Sequence, residues 1–208
     1  ATPYLKPGEV NELAVRLENE NESSRWYPGA GLYRNVHLVV TEDAYVPTWG
    51  TYVTTPVVTE KYAKVVLNTK LATAKGADRS AYRIVTEIKD PNGKVVAKEE
   101  NKLSIYNECQ FEQEFAVATP ALWSVENPFL YTAESKIYAG NTLKDEYTTR
   151  FGIRTLEIIP EKGFFLNGKL TKFKGVCNHH DLGPLGAAVN DAAIRRQIRI
   201  MKDMGVNA

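Results

Sequence analysis

The feature that most constrains this chain is a two-residue alternation of apolar and polar side chains recurring between residues 42 and 152. That period puts alternate side chains on one face of a strand, whereas a surface helix repeats every three to four residues. Tyr82, Ile84 and Ile88 share one face of a run. Cys109, Phe111, Phe115 and Val117 share another, alternating with Glu108, Gln110, Glu112 and Glu114. Residues 64–73, 94–100, 130–138 and 145–149 read as further strands. Asp90-Pro91-Asn92-Gly93 marks a turn, because proline presets φ and glycine accepts positive φ. Seven or so short strands with no helical period predict an immunoglobulin-like β-sandwich over residues 42–152, without the Cys…Trp…Cys spacing of an antibody domain. Trp123 is expected to fill its core.

The flanks differ. Upstream, Leu13-Ala14-Val15-Arg16-Leu17 and residues 33–41 also alternate, with Val36, Leu38 and Val40 on one face and His37 on the solvent side. They predict two or three strands, too few to close a stable sheet alone. Downstream, Asn167-Gly168 predicts a hairpin turn within residues 164–170, and residues 171–176 a short strand. Asn190 is placed to cap a helix from Asp191 to about Met204, ended by Gly205. Ile194, Ile198 and Met201 form its apolar stripe, and Arg195, Arg196, Arg199 and Lys202 its solvated face. Residues 206–208 then resume as a strand. Strand, helix and strand make a βα unit of a parallel sheet.

Charge narrows the partners. Lys plus Arg number 26 and Asp plus Glu 25, for a net charge of +1. That balance gives no electrostatic reason for nucleic acid or an anionic membrane as partner. No apolar run approaches the ~18 residues of a membrane span. Two cysteines, Cys109 and Cys177, are too few for a disulfide framework.

The densest chemistry is Lys174-Gly175-Val176-Cys177-Asn178-His179-His180-Asp181, immediately after a strand-like run. His179 and His180 suggest a metal, but adjacent residues in an extended segment point to opposite sides. No metal site is assigned.

Three segments carry a resemblance. Residues 24–36, with Arg25-Trp26-Tyr27-Pro28-Gly29-Ala30-Gly31-Leu32-Tyr33-Arg34, resemble the end of the jelly-roll domain of glycoside hydrolase family 2. Residues 120–131, with Leu122-Trp123-Ser124-Val125-Glu126-Asn127-Pro128, resemble a signature of that family's immunoglobulin-like domain. Phe151-Gly152-Ile153-Arg154, then Phe165-Leu166-Asn167-Gly168-Lys169, then residues 174–181, are similar to its junction into a catalytic TIM barrel.

The resemblance implies a mainly β chain. An immunoglobulin-like sandwich (42–152) follows the last jelly-roll strands (1–41) and precedes the start of the barrel (153–208), of which only one βα unit is present. It implies retaining hydrolysis of terminal β-linked sugars, most simply β-galactosides, with no organic cofactor. In that family both catalytic glutamates lie on later barrel strands, so no catalytic residue is assigned here and the 208 residues are expected to be inactive alone. His179 matches a sugar-contacting histidine. Asp181 and Asn178 are the accompanying substrate-binding candidates. Cys177 and His180 depart from the usual Asn and Glu, which puts the identity of the sugar in doubt. The implied partner is a carbohydrate, with a helix face free to pair with another copy. A non-catalytic sandwich, serving as spacer or carbohydrate-contact module, is the alternative.

Overall fold

A computed structural model describes residues 2–22, 31–32, 34–74, 81–105, 108–179, 182–188 and 190–208. Among the described residues the chain is mainly β, with several antiparallel sheets and one C-terminal α-helix. It divides into two compact units, Leu38–Val176 with Gly205–Ala208, and Ala1–His37 with Cys177–Met204.

In the larger unit, β1 (Ala44–Tyr45) and β2 (Thr51–Val58) line one edge of β3 (Tyr62–Thr73), and β6 (Glu108–Ala118) pairs with the other. The second sheet runs β5 (Val95–Ser104), β4 (Ala81–Lys89), β7 (Tyr131–Ala139), β8 (Thr142–Phe151). Alternation decides which faces meet. Val65, Leu67, Phe115 and Val117 from the first sheet pack in one buried cluster with Ile88, Tyr131 and Ala133 from the second. A further cluster gathers Leu71, Tyr82, Ile84 and Ile137.

Between the clusters lies a buried polar layer, one residue per strand. Thr69 sits between Leu67 and Leu71, Thr86 between Ile84 and Ile88, Gln113 between Phe111 and Phe115, and Ser135 between Ala133 and Ile137. Thr86 donates its one hydroxyl proton to Gln113 Oε1 (2.7 Å), so Ser135 donates to Thr86 (2.9 Å). Gln113 Nε2 in turn donates to Asn101 Oδ1 at 2.7 Å. Thr69 Oγ1 is buried without a hydrogen-bond partner among the described residues.

The Asp90–Gly93 turn forms as its residues predict: Gly93 N–H donates to Asp90 O at 2.9 Å, and Gly93 φ is 81°. Unanticipated are β1 and β2. Pro56 lies where the β2–β3 register shifts, between Thr54 and Val57, and its missing donor is tolerable only on such an edge. The predicted upstream strands are absent among the described residues: residues 5–22, 31–32 and 34–43 form no ladder. Their apolar side chains stay in solvent, Val10 at 96% and Leu13 at 82% exposure. A strand needs a neighbouring edge, and these described residues pair with none.

Beyond the sandwich, β9 (Leu156–Ile159), β10 (Gly163–Leu166) and β11 (Lys169–Leu170) form a small antiparallel sheet. Asn167 (φ 50°) and Gly168 (φ 74°) make its predicted tight turn. Trp123 is half-buried at the rim, not in the core. Its N–H donates to Ile153 O (2.8 Å), and a Cβ on Gly152 would lie 2.8 Å from Trp123 Cβ. Asn167 Nδ2 donates to Trp123 O at 2.9 Å while its Oδ1 accepts from Thr155 N–H at 3.0 Å. The Arg154 guanidinium lies 5.1 Å from the Trp123 ring centroid. These contacts fasten the small sheet to the sandwich.

In the other unit, α1 (Asp191–Asp203) is capped as its sequence indicates: Asn190 Oδ1 accepts from Ala193 N–H, and Gly205 follows with φ 84°. Its half-buried face is Ala193, Ile194, Gln197 and Met201. The predicted stripe is therefore rotated. Its centre lies nearer Gln197, which leaves Ile198, 53% exposed, on one flank and Ile200 on the other. Among the described residues no helix is long and apolar enough to cross a membrane.

Candidate functional site

The segment leading to His179 leaves the hairpin at Leu170. The strand predicted over residues 171–176 joins no assigned sheet, yet its end is paired. Lys174 O accepts from Asn207 N–H (3.0 Å) and Ala208 N–H (3.4 Å), and Val176 N–H donates to Ala208 O (3.3 Å). Bonds from residues 174 and 176 converging on one residue are those of a parallel pair. The approach is close: a Cβ on Gly175 would lie 3.3 Å from Ala208 O. Asn207 adds its side chain, accepting from Lys174 N–H at 2.8 Å and donating to Lys172 O at 3.0 Å. Lys174 and Val176 thus pair in parallel with Ala208.

Asn178 and His179 follow directly. They line a cleft of about 560 Å³ together with Arg34, Asn35 and His37 from the N-terminal segment and Ile194 and Gln197 from α1. Two of the three predicted binding residues are thus together. Asp181 lies outside the described residues, as do His180 and Trp26. Arg34, His37 and Gln197 were not anticipated as lining. Gln197 carried a signal, since a polar residue three positions after Ile194 falls on the buried helix face. Arg34 and His37 carried none, because only the fold brings them near His179. Gln197 Oε1 is buried with no hydrogen-bond partner among the described residues.

The cleft offers imidazoles, a guanidinium and two amide-bearing asparagines, a set rich in hydrogen-bond donors and acceptors for hydroxyls. None of its described lining residues is a carboxylate. Among the described residues no three His, Cys, Asp or Glu side chains gather as metal ligands. A second cleft of about 330 Å³ lies at the hairpin, where Lys169, Lys172 and Lys174 face Glu126 and Asn167. It holds no imidazole, and the chemistry favours the cleft at His179.

Comparison with known proteins shows the family. The family model described as "Glycosyl hydrolases family 2" matches residues 45–154, the sandwich and its exit. The chain belongs to that family. It is 45% identical over 209 residues to beta-galactosidase BoGH2A of Bacteroides ovatus, covering 99% of this chain and 24% of that protein. A beta-glucuronidase of Bacteroides fragilis is 30% identical over 225 residues, covering 100% of this chain and 31% of that one. A crystal structure of a family 2 member from Bacteroides cellulosilyticus superposes with a TM-score of 0.85 at 37% identity, over 91% of this chain and 26% of that one. The chain thus spans about a quarter to a third of the length of these family 2 relatives.

Proposed function

We propose that these residues are part of a retaining, exo-acting family 2 glycosidase that hydrolyses terminal β-linked sugars, with β-galactosides as the leading substrate class. In this reading residues 1–41 end a jelly-roll domain, residues 42–152 form an immunoglobulin-like sandwich and residues 153–208 open a TIM barrel. His179, with Asn178 and Asp181, contacts the sugar. The observation that carries it is the placement of His179 just beyond Gly175-Val176, which pair in parallel with Ala208 after the α1 crossover. Barrel active sites gather at such C-terminal strand ends. Likeness to a β-galactosidase at 45% identity favours galactosides.

Retaining hydrolysis needs two carboxylates about 5–5.5 Å apart. The described lining of the His179 cleft supplies neither. In this reading the described cleft carries sugar-reading groups without the carboxylate pair, and the 208 residues are proposed to be inactive alone. The full-length protein assayed against a panel of aryl β-glycosides tests the substrate reading. Turnover confined to β-glucuronides would replace galactose. No turnover of any member would leave the alternative, a non-catalytic sandwich module, which the family match over residues 45–154 also accommodates. Pairing of copies through the exposed flank of α1, at Ile198, is a further part of the proposal. Light scattering showing a strictly monomeric 208-residue protein would remove it.

A further inference from the structure

We infer that Asn207 is a positioning residue for the Asn178–His179 lip, its side chain standing in for a missing strand partner. In an extended run, C=O of one residue and N–H of the residue two further on face the same side. Lys172 O and Lys174 N–H are such a pair, and Asn207 meets both, through Nδ2 at 3.0 Å and Oδ1 at 2.8 Å. The Asn207 backbone N–H takes Lys174 O on the same side at 3.0 Å. The side-chain amide thus extends the pairing that Gly175 and Val176 make with Ala208 back by two residues.

The helix end explains why a side chain must do this. Met204 N–H still donates to Ile200 O, and Gly205, with φ 84°, turns the chain out of the helix. No backbone bond from Gly205 or Val206 reaches Lys172 or Lys174, and the Asn207 side chain takes that place. Asparagine is the residue for the task because one planar group carries both a donor and an acceptor. Aspartate keeps only the acceptor and sets a carboxylate against Lys172 O. Glutamine places the amide one methylene further out. The run that leads in sequence to Asn178 is thereby held at both ends, by the hairpin at Leu170 and by Asn207.

This inference rests on the sugar-contact role proposed for His179, and its test has an arm that does not. Amide exchange followed by NMR on the 208-residue protein should show the Lys174 N–H exchanging about fivefold faster in Asn207→Ala, as for loss of one net hydrogen bond. In Asn207→Asp the Lys174 N–H should stay protected, because its acceptor remains. Equal exchange in Asn207→Ala and wild type overturns the clamp. In the full-length protein Asn207→Ala should raise KM for an aryl β-galactoside several-fold with kcat little changed, the mark of a contact made alike in ground and transition states. Wild-type turnover with an unchanged KM in Asn207→Ala overturns the positioning role. Absence of turnover in wild type contradicts the proposed function, while the exchange arm still decides the clamp.

Discussion

Residues 63–71 and residues 10–17 carry the same kind of signal and meet opposite fates. Both interleave apolar and polar side chains. In the first, Val65, Leu67 and Leu71 are fully buried, because β2 and β6 flank β3 on its two edges and the second sheet covers its inner face. In the second, Val10, Leu13, Val15 and Leu17 all stay more than half exposed, and no ladder forms. Alternation therefore encodes a strand only where the same chain supplies an edge to pair with and a face to cover. Burying a leucine yields about 1.5–3 kcal/mol, and that gain is realised by Leu67 and not by Leu13.

The contrast can be broken by truncation. Leu67→Ala should cost about 2–5 kcal/mol in urea unfolding, from lost burial and the cavity left behind. Leu13→Ala should stay within about 0.5 kcal/mol. A comparable loss at Leu13 would mean that the N-terminal segment is buried in solution.

Gly152→Ala comes next, at about 1–3 kcal/mol, as for overpacking. Its new Cβ would lie 2.8 Å from Trp123 Cβ, with the surrounding turn pinned by the Trp123–Ile153 hydrogen bond. Loss of stability without loss of the sandwich fold, read by thermal unfolding and far-UV circular dichroism, would place the strain at the rim.

Within the sandwich the polar layer allows a finer contrast. Thr86→Val should cost about 1–3 kcal/mol by stranding Gln113 Oε1 and Ser135 Oγ. Thr69→Val removes a hydroxyl that has no partner among the described residues, and should be neutral or stabilising. Equal losses at the two positions would show that a bound water serves Thr69.

The smallest effect is electrostatic. On the outer face of the second sheet Lys89 Nζ lies 2.7 Å from Glu134, and Lys136 reaches the same carboxylate at 2.9 Å. Those bonds, Lys89 first, hold the Glu134 carboxyl below its ordinary 4.5 and raise Lys89 above 10.5. The stabilisation from Glu134 is present above pH 4.5 and is lost as pH falls through its lowered value; that from Lys89 is present below pH 10.5 and lost at more alkaline pH. Unfolding midpoints should be flat between these limits and decline outside them. Lys89→Met and Glu134→Gln should each flatten the acid limb.

Much of this was legible from residues. The Asp90–Gly93 turn, the Asn167-Gly168 hairpin and the Asn190 cap each follow from one side chain or one φ preference, which act locally. Pro56 concealed β2, since a proline argues against a strand unless the edge position is known. Gln113 belonged to the inward face by its spacing from Phe111 and Phe115, but its burial depended on Thr86 and Asn101 from other strands. The same distance in sequence hid the candidate site. His179 and Asn178 were readable from their motif, whereas Arg34 and His37 reach that cleft only through the fold. What the chain encodes locally it shows locally; what depends on neighbouring edges does not appear in the pattern.

Native-state hydrogen exchange on the 208-residue protein tests that distinction most directly. Amides of Leu67, Ile84, Phe115 and Ile137 should exchange only through global unfolding, and those of residues 10–17 at rates near those of an unfolded chain. Protection of residues 10–17 matching that of β3 would contradict it.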